Sequence, residues 1–483
     1  MISPEPLMNK TTCQKRGINV LEMPQPSTGF EQFTDPEKMR AIFQEYLPGC
    51  LEGKQAITQC EVTYRHYKRF LKTTSRHKNF LAACYQIHFT ETLSGKTGKQ
   101  IVYAKAFCGG RSLAEYEKLQ QLKVPEPASS QNMIHLAEFD MILWVFPHDP
   151  ALPHLPEVME PERVIKALPL SQLPSGFDLL GQPSRVNTTV VHYRPECRCT
   201  IRYDLQWEQP RQPKALTLFG KTFRNGEGKV IYQRMQYLWD AFQKNPSGIR
   251  VAQPLAYDPS LKTIWQIGAR GIPLHQIIDS NNYHRYIRSV ARGLAALHQS
   301  DLKSPLTLSL QDHLEEARKK STKLTQWFPS LHKIFRSLMQ QLEVSETQWT
   351  TIPFRLIYGD FHIKQLLGDG DDVVFFDFDE FAQGDPMQDL ANFIVDLHFH
   401  GFPPTLVQKM GRTLVNAYRS FVPWDVSVKR ISWHAGIQFT NKAYRSYIQR
   451  KPSLDEEMKL LVKFIDHEMI LDSLQNTMPG GKR

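Results

Sequence analysis

The side chains best suited to chemistry lie in one segment of the chain, residues 356–393. Two apolar runs flank the turn-forming sequence GDGDD there, which predicts a β-hairpin with an acidic tip. Asp360 and Gln365 lie on the loop that enters this hairpin, and Asp377 lies where the chain leaves it. Because a hairpin brings its two ends together, we expect these three side chains to converge. Two carboxylates and an amide oxygen are hard ligands suited to Mg²⁺, which keeps positions open for phosphate oxygens.

The spacing of these residues parallels two motifs of protein kinases. Asp360 and Gln365 match the catalytic-loop pattern Asp-x₄-Asn, and Asp377-Phe378-Asp379 matches Asp-Phe-Gly. In kinase chemistry the first aspartate receives the proton of the acceptor hydroxyl, while the amide and the second aspartate hold metal. The alternative is an acidic hairpin whose carboxylates are only solvated, and we expect that of the tip residues Asp369, Asp371 and Asp372.

The same segment resembles the aminoglycoside phosphotransferase and choline kinase family. The matching elements are Gly359-Asp360-Phe361-His362, Asp377-Phe378-Asp379, Gly384-Asp385-Pro386 with Asp389-Leu390-Ala391, and GLAALH at 293–298. The resemblance implies an α+β, protein-kinase-like two-lobe fold, with an antiparallel-sheet N-lobe and a mainly helical C-lobe. It also implies ATP and Mg²⁺ as cofactors and transfer of the γ-phosphate to a hydroxyl of a small molecule.

Roles for individual residues follow from this resemblance. Asp360 would be the catalytic base, Gln365 and Asp377 would hold Mg²⁺, and Asp385 and Asp389 would cap a helix and brace the catalytic loop. Two departures bear on geometry: Tyr358 and Gln365 stand where the family usually has histidine and asparagine. Sugar kinases that resemble maltokinase also carry glutamine there.

A kinase also needs a lysine on a strand to bind the phosphates. Lys221, in the strand-like LFGKTF, is our candidate. Arg198 lies in a hairpin, YRPECRCTIRY, that resembles the cover hairpin of some relatives, and its guanidinium is placed to approach phosphate. Glu196 stands in that hairpin where glycine would ease close approach. Backbone groups near Gln266 and Ile267 are expected to meet adenine.

The nucleotide lobe is present twice, to judge from the order of elements. Lys105–Leu122 aligns with Lys221–Leu238 without gaps, and each begins on a strand and continues into a helix. Glu117 is the candidate partner of Lys105, whereas Lys221 has Gln233 at the equivalent place, or Glu227 nearby. The first copy has no catalytic segment after it, so we expect an accessory lobe that serves capping, substrate shaping or self-association.

These features divide the chain into four parts, with the single active site between the last two. The expected parts are an N-terminal arm with a short helix at 1–48, an N-lobe-like accessory domain at 49–165, a nucleotide-binding N-lobe at 185–270 and a helical C-lobe at 271–483. The arm includes a helix at Pro36–Tyr46, which Asp35 can cap.

Composition excludes several other classes of protein. The chain has 59 Lys and Arg against 49 Asp and Glu, a net charge of +10, and no dense basic–aromatic stripe, so we expect no nucleic-acid partner. Its apolar runs are too short for a bilayer, and seven sparse cysteines do not resemble a disulfide framework or a zinc site. We expect a reduced, cytoplasmic protein of open oligomeric state. The rival to a small-molecule kinase is a non-catalytic nucleotide-binding pseudokinase or scaffold with a duplicated lobe.

Overall fold

The computed structural model of the chain describes residues 29–68, 78–121, 133–208, 214–243, 249–346, 349, 354–449, 454 and 456–460. Most of the predicted N-terminal arm, residues 1–28, lies outside these ranges. Phe30 and Phe33 form a buried aromatic pair, and the helix that the sequence predicts at Pro36–Tyr46 follows them. Asp35 caps that helix by accepting from the backbone N–H groups of its first turn.

The first sheet has five antiparallel strands. Their long apolar and β-branched runs, joined by a glycine- and lysine-rich turn, favour extended chain. The strands are β1 (Gln55–Lys68), β2 (Phe80–Glu91), β3 (Thr97–Phe107), β4 (Met133–Leu136) and β5 (Met141–Val145), and the helices are α1 (Pro36–Tyr46), α2 (Pro48–Leu51) and α3 (Arg111–Gln121). Two short helices, α4 (Leu155–Met159) and α5 (Pro161–Ala167), lead to the second sheet.

The second sheet repeats the first. Its strands in the same order are β6 (Arg185–Arg194), β7 (Arg198–Trp207), β8 (Lys214–Phe223), β10 (Pro254–Asp258) and β11 (Thr263–Ile267), with α6 (Glu227–Gln243) after β8. Strand neighbours run β1-β2-β3-β5-β4 in one sheet and β6-β7-β8-β11-β10 in the other. Lys105 and Lys221 both lie on the third strand, paired with the second and the last strand in sequence. The identical strand order supports the predicted repetition.

The rest of the chain is mainly helical, with short strands around the loops. The elements are β9 (Arg250–Val251), β12 (Ile272–Pro273), α7 (Leu274–Ile277), α8 (Tyr283–Gln299), α9 (Leu310–Trp327), α10 (His332–Glu346), β13 (Arg355–Ile357), β14 (Leu366–Asp369), β15 (Asp372–Phe375), β16 (Ala382–Gly384), α11 (Met387–Leu397), α12 (Pro404–Phe421) and α13 (Val428–Ile448). The predicted acidic hairpin is β14–β15, with Leu366 opposite Phe375. The predicted α+β fold class, with antiparallel sheets before a helical region, is confirmed.

Buried apolar side chains join the two sheets in one continuous core. Tyr103 and Trp144 of the first sheet belong to the same cluster as Ile201 and Tyr203 of the second. A larger cluster unites the other side of the first sheet with the helical region, where Tyr67 contacts Tyr447 edge to face. The first sheet is therefore packed between the second sheet and the C-terminal helices.

None of the helices in the described ranges is long and apolar enough to cross a membrane. The six cysteines that fall within those ranges, Cys50, Cys60, Cys84, Cys108, Cys197 and Cys199, are all free thiols.

Candidate functional site

Four charged side chains meet where the second sheet faces the loop after β15. Lys221 on β8 places its Nζ 2.8 Å from Asp377 Oδ1, and it also bonds Asp379. Arg198, at the start of β7, donates to Asp379 Oδ2 over 2.8 Å. The predicted residues Lys221, Arg198 and Asp377 are thus brought together, although up to about 180 positions separate them in the sequence. Two cations of the sheet face two carboxylates of the loop.

The electrostatics of this cluster differ between its two carboxyl groups. Burial would raise the pKa of Asp377, but Lys221 and Arg198 outweigh it and hold that pKa at about 2. For Asp379, burial and the neighbouring Asp377 carboxylate prevail over Lys221, so its pKa rises to about 6. Asp377 is therefore ionised at neutral pH, which is the form that a metal ion requires.

Tyr358 supports the loop that carries Asp377. Its hydroxyl donates to the carbonyl oxygen of Phe376, and its ring packs 4.6 Å from the Phe378 ring. Burial, followed by the charges of Asp377 and its neighbouring carboxylates, raises the pKa of Tyr358, so the hydroxyl remains a donor. The tyrosine that departs from the family pattern therefore anchors the loop before the hairpin to the residue before Asp377.

Asp389 braces the same loop from α11. Its carboxylate is fully buried and accepts from the backbone N–H groups of Tyr358 (2.6 Å) and Gly359 (3.0 Å). His298, at the end of α8, lies 3.0 Å from the same carboxylate. These contacts match the bracing role that the resemblance implies for Asp389. Asp385 likewise accepts from the N–H of Met387 in the first turn of α11.

Gly359 itself needs to be glycine. Its φ is +91°, and a Cβ at this position would lie 2.3 Å from the carbonyl oxygen of Glu380. The carbonyl of Gly359 accepts from the side-chain amides of Gln388 (3.0 Å) and Asn392 (2.8 Å), both on α11. The backbone immediately before Asp360 is thus fixed on both of its polar groups.

Replacing Asp389 by alanine is expected to destabilise the fold strongly. The change leaves two buried N–H groups and His298 without their acceptor, so we expect a loss of about 3–5 kcal/mol in the free energy of unfolding. Urea titration measures it. Asp372→Ala at the exposed hairpin tip is the control and should change stability by less than about 0.5 kcal/mol. Equal losses in the two variants would contradict the bracing role.

Asp360 follows Gly359 on this braced loop. It is partly exposed, and within the described ranges its carboxylate forms no hydrogen bond or ion pair. Burial lowers the pKa of the half-buried His362, and the charges of Asp360 and Asp377 oppose that shift. The carboxylate oxygens of Asp360 are therefore available, and its charge acts on the same imidazole as that of Asp377.

Gln365 is more enclosed than the sequence suggests. The residue is 4% exposed, and its Oε1 accepts from the N–H of His362 over 3.1 Å. Its carbonyl accepts from the N–H of Phe376, which places it across the hairpin from the residue before Asp377. The side-chain oxygen Oε1 has two lone pairs, and its bond to the N–H of His362 uses one, so the other is left for a metal ion. Its role as a ligand stays a prediction.

The residues present fit a Mg²⁺ ion. Within the described residues, no group of three or more His, Cys, Asp and Glu side chains is arranged to hold a metal. Mg²⁺ is usually bound by one or two carboxylates and keeps positions for water and phosphate, so a large cage is not needed. The ionised Asp377 and its neighbour Asp379 supply carboxylate oxygens, and the backbone of Gln365 lies across the hairpin from the residue before Asp377.

The predicted adenine contacts are only partly available. Ile267 lies at the end of β11, and its N–H donates to the carbonyl of Gln253 over 2.9 Å. Gln266 is paired with Phe219 of β8. The N–H of Gly268 donates to Thr217, so groups after Gly268 are the next candidates for a base. Contact of Gln266 and Ile267 with adenine stays a prediction.

The predicted partners of Lys105 and Lys221 on the following helices are not the ones that the structure shows. Glu117 is exposed on α3, and Lys105 instead pairs with Glu196 of the second sheet at 2.8 Å. Gln233 and Glu227 are both exposed on α6, and Lys221 contacts the two aspartates. These lysines bond residues distant in sequence, which spacing along one helix does not indicate.

Two residues of the site were missed from the sequence. Asp379 bonds both Lys221 and Arg198. Its place in the motif Asp377-Phe378-Asp379 could have marked it as a site residue. Arg234 on α6 donates to the carbonyl oxygen of Asp379 over 3.2 Å and lies over the Phe381 ring. No sequence feature distinguished Arg234 from Lys229, the other basic residue of that helix.

A family model matches the part of the chain that contains this site. It is the model described as the phosphotransferase enzyme family (APH), and it matches residues 231–424. The match starts within α6 and contains the whole loop–hairpin–loop segment, whereas the first sheet lies outside it. No curated protein matches the chain.

Several solved structures are similar to parts of the chain. The choline kinase LicA from Streptococcus pneumoniae is 13% identical with a TM-score of 0.40, covering 61% of this chain and 95% of that one. An aminoglycoside phosphotransferase, APH(3'')-Id from Streptomyces rimosus, is 14% identical with a TM-score of 0.38, covering 52% and 91%. The GDP complex of aminoglycoside 2'-phosphotransferase-IIIa is 13% identical with a TM-score of 0.43, covering 63% and 98%.

Proposed function

We propose that the protein, whose residues 231–424 match the model of the phosphotransferase enzyme family, transfers the γ-phosphate of ATP to a hydroxyl of a small molecule. The observation that carries the proposal is the meeting of Lys221 from the second sheet with Asp377 from the loop after the hairpin. On this proposal, the pair joins the lysine that would bind the phosphates to the aspartate that would hold the metal ion. A sugar, an aminoglycoside-like compound or an amino alcohol is the acceptor class that we propose.

Asp360 is the proposed catalytic base. Its carboxylate orients the acceptor hydroxyl and takes the proton as the oxygen attacks the γ-phosphorus. The oxygen–phosphorus bond forms while the bond between the γ-phosphorus and the bridging oxygen of ADP breaks. The two-sided hold on Gly359 keeps the Asp360 backbone in place, and such positioning accounts for much of the rate in this type of reaction.

Lys221 and Arg198 are the proposed phosphate ligands. Both cations now face Asp377 and Asp379, so the triphosphate would compete with these carboxylates for the same donors. An ammonium and a planar guanidinium provide several charge-assisted hydrogen bonds to phosphate oxygens. Their charge would offset the negative charge that develops on the transferred group and on ADP.

Asp377 and Gln365 are the proposed holders of Mg²⁺, with Asp379 beside them. Bound there, the ion would neutralise charge on the β- and γ-phosphate oxygens. The low pKa of Asp377 supports this assignment because the carboxylate does not have to lose a proton first. Gln266 and Ile267 remain the proposed neighbours of the adenine base.

The second candidate is a pseudokinase that binds nucleotide without turnover. It is favoured by one observation, namely that Lys221 bonds the two aspartates while Gln233 and Glu227 on α6 are exposed. In an active kinase a helix glutamate usually holds this lysine. The second candidate predicts binding of ATP with Mg²⁺ but no product on any acceptor.

Release of ADP in the presence of a panel of acceptors tests the proposal. The purified full chain is incubated with ATP or GTP, Mg²⁺ and sugars, aminoglycosides or amino alcohols in turn. We expect ADP release, or GDP release with GTP, that depends on one acceptor class and is abolished by EDTA and restored by excess Mg²⁺. Saturable nucleotide binding with no acceptor-dependent release would favour the pseudokinase, and absence of nucleotide binding would refute both candidates.

A further inference from the structure

The turn of the β6–β7 hairpin is held by the first sheet. Glu196 at this turn places its carboxylate oxygens 2.8 and 3.1 Å from Lys105 Nζ. The hydroxyl of Tyr103, two residues earlier on β3, donates to the same carboxylate over 2.9 Å. Tyr103 and Lys105 belong to the first sheet, which we call the duplicated lobe. Glu196 lies in the β6–β7 hairpin, the proposed nucleotide-covering hairpin, and is thus bonded to a different sheet.

A second contact fixes the backbone of the same turn. Asp149, just after β5, is buried, and its Oδ2 accepts from the N–H of Glu196 over 2.9 Å. The hydroxyl of Tyr193, on the incoming strand, donates to that oxygen over 2.6 Å. The ring of Phe146 packs against the ring of Tyr193, with centroids 5.1 Å apart. The first sheet therefore holds the turn through backbone, side chain and ring contacts.

The conformation of Glu196 needs this support. Its φ is +55°, in the left-handed region that a residue with a side chain seldom adopts. Such backbone persists where the surroundings over-determine it. Two residues further on, Arg198 enters the site and bonds Asp379. The position of the turn thus determines where a proposed phosphate ligand stands.

We propose that the duplicated lobe is a positioning lobe, and that Lys105 holds the nucleotide-covering hairpin of the neighbouring lobe instead of binding a nucleotide of its own. Lys105 occupies the strand position that Lys221 has in the second sheet, but its ammonium is engaged by Glu196. The inference rests on the proposed function, since it concerns how the covering hairpin is shaped. Lys105, Tyr103 and Asp149 are positioning residues, because they act on the site only through that hairpin.

Hydrogen–deuterium exchange of the nucleotide-free full chain tests the hold on the turn directly. Lys105→Met is expected to speed exchange in residues 194–198 by about 10-fold, since a charge-assisted contact to the turn is lost. Glu196→Gln keeps the bond from Tyr103 and should produce a smaller increase. Lys99→Met, an exposed lysine on the same strand, is the matched control and should leave exchange in the turn unchanged.

Measurement of ATP affinity tests whether the contact between Lys105 and Glu196 supports nucleotide binding. Calorimetric titration with ATP and Mg²⁺ is expected to show affinity about 10-fold weaker in Lys105→Met, with kcat changed less than KM for ATP. The charge-reversal double variant, Lys105→Glu with Glu196→Lys, is expected to recover most of the ATP affinity because the ion pair is restored with its charges reversed. Recovery by charge exchange is a result that general loss of stability does not produce.

Unchanged exchange at 194–198 in both Lys105→Met and Glu196→Gln would overturn the hold itself. Faster exchange with unchanged ATP affinity would overturn its role in nucleotide binding. If the wild-type chain binds no nucleotide, the proposed function fails, and the exchange data still decide separately whether Lys105 holds the hairpin.

Discussion

Replacing Asp360 by asparagine is expected to lower phosphotransfer by about 10²–10⁴-fold while ATP affinity stays within about twofold. Asparagine has nearly the same size, so the loop should keep its shape, but its amide cannot take the acceptor proton. Asp360 has no hydrogen bond or ion pair to lose in the described part of the chain, so stability should be little changed. Initial rates of product formation and calorimetric titration measure the two quantities.

The control for this variant is Asp372→Asn, which changes an exposed carboxylate at the tip of the same hairpin. It should keep wild-type rates. A residual rate in Asp360→Asn within tenfold of wild type would contradict the role of Asp360 as base. Loss of ATP binding in the same variant would show instead that Asp360 acts on the nucleotide or on the fold.

Replacing Lys221 by methionine is the second large change. We expect kcat/KM for ATP to fall by about 10²–10³-fold, because the phosphates lose a charged donor in a half-buried site. The variant also removes the cation that bonds Asp377 and Asp379, and Arg198, which bonds Asp379, is the side-chain cation that still contacts this pair among the described residues. The pKa of Asp379, already about 6, should rise further, since one opposing positive charge is gone.

Two comparisons separate these effects. Lys221→Arg keeps the charge and should retain part of the activity, whereas Lys214→Met, at the exposed end of the same strand, should retain all of it. Thermal unfolding checks that each variant folds. If Lys221→Met bound and turned over ATP like the wild type, the second sheet would not be the nucleotide lobe.

The elements that carry the site were predictable because their determinants are local. The hairpin β14–β15 follows from a turn sequence between two apolar runs, and α1 follows from a capping aspartate, a proline and an apolar face. The two sheets were predictable from strand-like runs in the same order. Convergence of Lys221 with Asp377 was expected only through the family resemblance, since nothing local specifies it.

The contacts between sheets could not be predicted in the same way. Lys105 and Glu196 are 91 residues apart, and Arg198 and Asp379 are 181 residues apart. The first pair depends on how the two sheets pack, and the second on how the second sheet faces the loop after β15, whereas a period-2 pattern shows only that a face is buried. Glu196 stood out in the sequence as an acid in place of a glycine, but its partner lies in the other lobe.

Tyr358 departs from the family pattern and still holds the loop before the hairpin in place. The family pattern has histidine at this place, and the substitution left the local geometry open. The tyrosine hydroxyl reaches the carbonyl of Phe376, while Asp389 accepts from the N–H of the same residue. A different side chain therefore connects the loop before the hairpin to the loop after it, which sequence comparison alone does not indicate.

On the proposed function, the protein has one nucleotide site, between the second sheet and the helical region. A crystal structure of the full chain with a non-hydrolysable ATP analogue and Mg²⁺ tests it most directly. We predict that the phosphates contact Lys221, that Asp377 binds the metal ion, and that Lys105 remains on Glu196. Phosphates bound at Lys105, or a nucleotide elsewhere with the bonds from Lys221 to Asp377 and Asp379 intact, would contradict the claim.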